Sequence, residues 1–289
     1  MANRKIKHIS PANKVNMGGF LVRQPLPTRT IDKVDPFLLL HHAEVTYENS
    51  KGADQSGVGP HPHRGFSPVS FVFKGGVHHR DSLGNNSVIY EGGVQWINSG
   101  SGIMHSERPP KELLGSSDAQ EFIQLWVNTP AAHKMDEPSY QGFSKEEIPM
   151  VKSSDGLVEM SIVTGEVDNV SGPVHTTSDV MAAMVLINKG GFHQINFEQN
   201  HQGLVYLLDG RVKINGQEIE GKNLVIFEEE GEGFEIEGLE STKALLLSGA
   251  PLNEPVSSYG PFVMNNQREI IEALNDAQSG KMGVLNEIF

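Results

Sequence analysis

The chain has 289 residues, and 23 Lys and Arg stand against 36 Asp and Glu, so its formal net charge is −13. This acidic balance argues against direct binding of nucleic acid. The absence of cysteine excludes disulfides, cysteine-ligated zinc, iron–sulfur clusters and cysteine nucleophiles. No apolar run approaches the ~20 residues of a membrane-spanning helix, and no apolar stretch of a signal peptide follows the basic N-terminus. We therefore expect a cytoplasmic protein that binds no membrane.

Short runs of β-branched and aromatic residues, bounded by Gly, Asn and Asp, predict two sets of strands. The first set covers 69–73, 77–81, 87–90, 94–97 and 122–127. The second set covers 158–164, 180–187, 192–197, 204–208, 212–214, 224–227, 234–236 and 244–247. Strands this short and frequent are typical of all-β sandwiches or barrels, and not of a parallel sheet with crossover helices.

The two sets look like copies of one unit. Segment 70–77 aligns with segment 205–212 as a strand, a tight glycine turn and a returning strand, with Gly75 over Gly210. This repetition predicts a duplicated β-domain; the alternative is a chance likeness between hairpins. We expect an N-terminal domain at 1–135, a proline-rich and charged linker at 136–155, and a C-terminal domain at 156–289.

One helix is predicted, at 268–279. Its apolar residues fall on a single stripe: Ile270, Ile271, Leu274 and Ala277. Asn266 and Glu269 form the pattern of a capping box, and Gly280 stands where a C-terminal cap is expected. The apolar stripe needs cover, so we expect the helix to pack on the outer face of a barrel.

Two pairs of polar residues carry the chemistry. His61 and His63 form one pair, and His105 and Glu107 form the other. Residues i and i+2 of a strand point to the same face, so two neighbouring strands could bring three imidazoles and one carboxylate together. Such donors suit a divalent first-row metal and leave two octahedral positions for a substrate or dioxygen.

A pattern of His-x-His alone is weak evidence, and the alternative is that His61 and His63 are surface residues beside prolines. Their position at the border of a strand-rich block favours the metal. Gly100 and Gly102 would also allow the chain to turn sharply into the second ligand strand. Other histidines are expected to have no role, since His78 and His79 are adjacent and point to opposite faces, and His201 and the rest are isolated.

Several segments resemble the pirins of the cupin superfamily. The resemblance is carried by 61–66 (HPHRGF), 81–84 (DSLG), 95–96 (QW) and 102–107 (GIMHSE), and also by 124–128, 146–149, 249–256 and 260–265. It implies two tandem jelly-roll barrels of the cupin type, with one mononuclear metal in the N-terminal barrel. It also implies that His61, His63, His105 and Glu107 hold that metal, which is the set that the strand argument selects.

The resemblance implies an iron-dependent dioxygenase that opens the ring of a flavonol such as quercetin with dioxygen. Iron(II) is the expected metal, and manganese, nickel, copper or zinc are alternatives. Glu107 is the candidate general base for the proton of the flavonol 3-hydroxyl. A second interpretation is an iron-bearing, redox-sensitive co-regulator that binds a protein partner without turnover. A third is a zinc-dependent isomerase or hydrolase.

The sequence departs from the pirin pattern at Ser67-Pro68, where pirins usually carry Glu-Thr, and at His41, where Asp is common. Ser67 and Trp96 are the candidate pocket residues.

The repeat also predicts what the second barrel lacks. Asn196 and Glu198 align with the first histidine pair, and Phe234 and Ile236 with the second pair of ligands. We therefore expect no metal in the C-terminal barrel.

Overall fold

The computed structural model describes residues 2–17, 20–50 and 52–287. The chain forms two compact units, each built from two separate stretches of sequence. The first unit comprises Met1–His42 and Glu146–Pro251, and the second comprises Ala43–Lys145 and Leu252–Phe289. This grouping differs from the sequential division into 1–135, 136–155 and 156–289. The first strand, Ile6–Pro11, pairs with Asn223–Phe227 in the C-terminal half of the chain.

The elements are almost all short strands, which confirms the expectation of an all-β protein with one C-terminal helix. The strands of the first half are β1 (Ile6–Pro11), β2 (Asn13–Met17), β3 (Phe20–Leu26), β4 (Phe37–Thr46), β5 (Val58–His63), β6 (Phe66–Lys74), β7 (Gly76–Asp81), β8 (Asn86–Tyr90), β9 (Val94–Asn98), β10 (Ile103–Arg108), β11 (Ala119–Asn128), β12 (Ser139–Phe143) and β13 (Met150–Lys152). Those of the second half are β14 (Val158–Thr164), β15 (Glu166–Val167), β16 (Val170–Ser171), β17 (Val180–Ile187), β18 (Phe192–Asn196), β19 (Gln202–Leu207), β20 (Arg211–Ile214), β21 (Gln217–Glu220), β22 (Asn223–Phe227), β23 (Gly233–Gly238), β24 (Thr242–Gly249), β25 (Ser257–Tyr259) and β26 (Phe262–Met264). The helix α1 is Gln267–Gln278, and short 3-10 turns lie at Ala53–Gln55, Lys111–Leu113, Ala131–His133 and Lys145–Glu147.

The first unit encloses an apolar core between two antiparallel sheets. The larger sheet has the strand order β1-β22-β19-β24-β17-β14-β13, and the smaller has the order β18-β23-β20-β21. Val205 and Leu246 of the larger sheet pack in one cluster with Val212, Phe234 and Ile236 of the smaller. Phe234 and Ile236, which align with the ligand positions of the repeat, are therefore core residues. The two sheets face each other across this core, as in a jelly roll, and are not joined into a closed barrel.

The second unit repeats this arrangement. One sheet contains the neighbouring strands β12-β9-β6-β11, and the other has the order β5-β10-β7-β8. Val72 and Phe122 of the first sheet meet Val77 and Ile89 of the second in an apolar cluster. The candidate metal ligands lie on β5 and β10, in the smaller sheet.

The helix begins as its sequence predicts. The side chain of Asn266 accepts a hydrogen bond from the backbone N–H of Glu269 at 3.1 Å, which caps the first turn. Ile270 and Ala273 are buried, whereas Ile271 is 58% exposed and does not belong to the packed stripe.

The helix packs against β25 and β26 in the second unit. It is therefore grouped with residues of the N-terminal half and not with the rest of segment 156–289. The chain leaves the first unit after Pro251, so the helix joins the unit that holds the candidate metal ligands. Arg64, next to His63, pairs with Asp276 of the helix at 3.0 Å.

Residues 136–155, the expected linker, contain two edge strands. β12 pairs with β9 in the second unit, and β13 pairs with β14 in the first. Proline lacks a backbone donor and is therefore tolerated near sheet edges, which explains why Pro138 and Pro149 directly precede these strands. In the described part of the chain, no helix has the length and apolarity needed to cross a membrane.

Candidate metal centre

The smaller sheet of the second unit brings the two polar pairs together. β5 and β10 run antiparallel, with His61 directly opposite His105. His63 lies two residues from His61 and shares its face. Gly100 and Gly102, in the turn before β10, have φ values of 44° and 136°, a region that favours glycine. The predicted sharp turn into the second ligand strand is therefore present.

Three imidazoles converge at this point. Their ring centroids are 4.3 Å apart for His61 and His105, 4.7 Å for His61 and His63, and 4.8 Å for His63 and His105. One nitrogen from each ring lies within 4.8 Å of the other two. The Nε2 atoms of His61 and His63 are 3.0 Å apart. This spacing allows a single ion to contact all three rings.

The hydrogen bonds of the rings fit a metal. Nδ1 of His61 lies 2.8 Å from the carbonyl of Gly59, and Nδ1 of His63 lies 3.3 Å from the carbonyl of Pro261. Histidine ligands commonly donate one N–H to a carbonyl in this way, which leaves the Nε2 lone pair for the ion. Both ring nitrogens of His105 are buried and have no hydrogen-bond partner among the described residues. A buried polar group without a partner is costly, and an ion would satisfy it.

Burial also keeps two of the rings neutral. It lowers the pKa of His63 and of His105 well below the usual value, and the neighbouring His61 lowers both further. Neutral imidazole is the form that binds metals.

Glu107 faces the same interior but stands outside the group of three imidazoles. Its Oε1 accepts hydrogen bonds from the Ser70 hydroxyl at 2.7 Å and from the Gln95 amide, and its Oε2 accepts one from the Gln124 amide at 2.7 Å. The structure thus brings three of the four predicted ligands within reach of one ion, and holds the fourth against the facing sheet.

A buried histidine–aspartate pair lies beside the imidazoles, and it was not predicted from the sequence. His79 on β7 stands opposite Glu107, and its Nε2 lies 2.9 Å from Oδ2 of Asp81. The ring stacks on Tyr140 at 4.2 Å between centroids and lies 5.5 Å from the ring of His105. Although burial alone would raise the pKa of Asp81, hydrogen bonds from His79 and Asn85 lower it overall. The signal in the sequence was the i, i+2 spacing of His79 and Asp81.

The two candidate pocket residues point away from this interior. Trp96 pairs across the strands with Val69, while its neighbour Gln95 pairs with Ser70, which contacts Glu107. Ser67 pairs with Val127, on the same face as Val69. Side chains alternate along a strand, so Trp96 and Ser67 lie on the opposite face from the imidazoles.

Two other aromatic residues, Trp126 and Phe66, lie beside the imidazoles instead. The ring of Trp126 lies 5.8 Å from that of His63 and 4.3 Å from that of Phe66. The indole Nε1 of Trp126 is buried and donates to no group in the described chain. The imidazoles are therefore bordered by an aromatic wall with one unused donor. Sequence alone did not distinguish Trp126 from Trp96, because the face of each depends on strand register.

Comparisons with known proteins identify the family. Residues 19–127 match the family profile described as pirin, and residues 182–283 match the pirin C-terminal cupin domain. Pirin of Homo sapiens is 32% identical over 272 residues, which are 92% of this chain and 89% of that protein. This chain belongs to the pirin family. A Pseudomonas aeruginosa protein, whose name gives a provisional assignment as quercetin 2,3-dioxygenase, is 33% identical over 264 residues, 91% of this pirin and 92% of that protein.

A solved structure agrees over the whole chain. The crystal structure of a quercetin 2,3-dioxygenase from Acinetobacter baumannii has a TM-score of 0.91 and 36% identity, and the alignment covers 99% of this pirin and 100% of that chain. The expected fold of two cupin domains is therefore confirmed.

The structure shows where the two segments that were expected to depart from the pirin pattern lie. Pro68 stands opposite Trp126, so the Ser67-Pro68 substitution lies beside the aromatic wall. His41 bonds to Gln24, with Nε2 3.0 Å from Oε1, and burial lowers the pKa of His41 to about 4. His41 is thus a neutral, buried residue of the first unit.

Proposed function

We propose that this pirin is a metal-dependent dioxygenase that opens the ring of a flavonol-type substrate with dioxygen. The main support is the convergence of three imidazoles. One of them, His105, is buried, and neither of its ring nitrogens has a hydrogen-bond partner among the described residues. The names of the Acinetobacter and Pseudomonas relatives support the choice of reaction.

The ligand assignment follows from the donor set. His61, His63 and His105 would hold the metal, and Glu107 would exchange one of its hydrogen bonds to become the fourth ligand. Three neutral imidazoles and a carboxylate suit iron(II) first, and manganese, nickel, copper or zinc accept the same donors. When bound, the metal would supply Lewis acidity toward a substrate oxygen and, as iron, redox chemistry.

Glu107 would also serve as the general base. Donors from Ser70, Gln95 and Gln124 fix its carboxylate on the interior face, next to the imidazoles on the same sheet. A carboxylate in this position could take the proton of the flavonol 3-hydroxyl, and the three donors would hold it ready to do so.

The aromatic wall would bind the substrate rings. A flavonol is flat and aromatic, and the partly exposed ring of Trp126 lies near His63, with the buried ring of Phe66 packed against it. The unused Nε1–H of Trp126 would donate to an oxygen of the substrate.

The test begins with anaerobic reconstitution of the protein with iron(II), followed by metal analysis and by oxygen uptake on addition of quercetin. We expect one equivalent of iron at this centre, stoichiometric oxygen uptake, and loss of both in His61→Ala. Glu107→Gln should retain some metal and lower turnover about a hundredfold or more, the usual contribution of a general base. Glu112→Gln is the matched control, because Glu112 is an exposed residue that accepts a hydrogen bond from Tyr90.

The results separate the interpretations. Undiminished turnover in Glu107→Gln would contradict the role of the carboxylate. Bound metal without oxygen uptake on any flavonol would favour the protein-interaction function. Failure of His61→Ala to change the bound metal would remove the ligand assignment.

A further inference from the structure

A second group of metal-binding side chains lies in the first unit, apart from the residues of the candidate metal centre. Asp179 directly precedes β17, Glu198 follows β18, and His201 directly precedes β19. One ligand atom from each residue lies within 4.8 Å of the other two. Two carboxylates and one imidazole are thus gathered at the ends of three strands.

His201 is the buried member of this group. It is 2% exposed, and its Nδ1 lies 3.1 Å from the Ser248 hydroxyl. Its Nε2 is buried, has no hydrogen-bond partner among the described residues, and lies 3.4 Å from Oδ2 of Asp179. If Nδ1–H donates to Ser248, a nitrogen lone pair faces a carboxylate, and a cation between them removes the repulsion.

The backbone that carries these donors is fixed. Arg4, which is fully buried, donates to the carbonyl of His201 at 2.5 Å and to that of Glu198 at 2.9 Å. The amide of His201 also donates to the Glu198 carbonyl at 3.1 Å, which closes a tight turn. On the other side, the carbonyl of Asp179 accepts a hydrogen bond from Ala250 at 2.9 Å. The three donors therefore start from held positions, which lowers the entropic cost of binding an ion.

The carboxylates complete the site from the solvent side. Asp179 is 71% exposed at its side chain, and Glu198 is exposed as well, so an ion can enter directly from solution. Arg4 is the nearby positive charge, but its guanidinium is engaged with backbone oxygens and stands over the ring of Phe197 at 5.1 Å.

We propose that Asp179, Glu198 and His201 form a second metal site, which binds a divalent transition metal of the zinc type. The imidazole nitrogen favours zinc over magnesium or calcium, which prefer oxygen donors alone. Three protein donors leave at least one position for water. This site is distinct from the ligand positions of the repeat, where the C-terminal domain has Phe234 and Ile236 in its core.

The proposal is tested by zinc titration of the metal-stripped, full-length protein, with the bound metal counted by elemental analysis after equilibrium dialysis. Cobalt(II) absorption gives an independent spectroscopic readout of each site. The test variant is Asp179→Asn combined with Glu198→Gln, and both side chains are exposed, so the fold should persist. Circular dichroism checks the fold of each variant.

The matched control is Asp168→Asn. Oδ2 of Asp168 lies 3.4 Å from Nε2 of His193, the same separation as in the Asp179–His201 pair. Among the described residues, however, this pair belongs to no group of three potential metal ligands. This variant should bind as much zinc as the wild type.

We expect two zinc equivalents in the wild type, and at least a tenfold weaker affinity for one of them in the double variant. His61→Ala should lose the other equivalent and keep this one, so that failure of one site is distinguished from failure of the other. A second equivalent that survives the double variant, or a wild type whose only equivalent disappears in His61→Ala, would overturn the proposal.

Discussion

The buried ammonium group of Lys134 gives the protein a measurable pH dependence of stability. Lys134 is 1% exposed and donates to the carbonyl of Gly65 at 2.6 Å, to Oδ1 of Asn128 at 2.7 Å and to the carbonyl of Val263 at 3.1 Å. Burial lowers the pKa of Lys134 from 10.5 to about 8. The folded protein therefore releases this proton at a lower pH than the unfolded chain.

The sign and size of the effect follow from proton linkage. Between pH 8 and the ordinary lysine range, the unfolded state binds more protons than the folded state, so the free energy of unfolding rises with pH. With a folded pKa of about 8 and an unfolded pKa of about 10.4, the gain from pH 7 to pH 10 is about 2.5 kcal/mol. Below pH 7, Lys134 is protonated in both states and contributes no slope.

The variant Lys134→Met removes this titration and keeps a side chain of similar length. We expect the unfolding free energy of the wild type, relative to that of the variant, to increase by about 2.5 kcal/mol between pH 7 and pH 10. Urea denaturation at pH 7, 8.5 and 10 measures the difference. Lys111→Met is the control, since Lys111 is exposed. Parallel pH profiles for the wild type and Lys134→Met would refute the reasoning.

Three further predictions concern single contacts. His79→Phe keeps a ring against Tyr140 but removes a hydrogen bond to buried Asp81, so the free energy of unfolding should fall by about 1 kcal/mol; an unchanged urea midpoint would contradict this. Trp126→Phe removes the unused N–H together with one of the two indole rings, and the KM for quercetin should rise about two- to tenfold with little change in kcat, whereas an unchanged KM would exclude a contact to substrate. Asn266→Ala removes the helix cap and should cost about 1 kcal/mol in urea denaturation, a loss not expected for the exposed helical variant Asn275→Ala.

Much of the fold could be predicted from local sequence patterns. The capping of α1 by Asn266 and the glycine turns at Gly75 and Gly210, both with positive φ, depend on residues close in sequence, and the sequence analysis identified them. Cross-strand pairing depends on distant residues. The pairing of β1 with β22 and the packing of α1 in the second unit have no local signal, so the sequential division into domains differs from the two observed units.

In the candidate metal centre, too, local patterns were predictive, whereas features that depend on strand register were not. The i, i+2 alternation placed His61 and His63 on one face, and that rule needs no knowledge of the partner strand. Whether His79, Trp126 or Trp96 faces the interior depends on register, and a shift of one residue reverses every side chain. The observed register turns His79 and Trp126 inward and Trp96 outward.

Glu107 shows where alternation alone was insufficient. It shares a face with His105, as predicted, but the pairing of β10 with β5 is irregular between these two residues, so Glu107 stands opposite Val58 on β5 and opposite His79 on β7. At this position Ser70, Gln95 and Gln124 of the facing sheet satisfy its carboxylate. A buried carboxylate with three donors is stable without an ion, whereas the unpartnered nitrogens of His105 are not. Metal binding should therefore depend chiefly on the histidines, and proton transfer on Glu107, which is why the two classes of variant are expected to separate metal content from turnover.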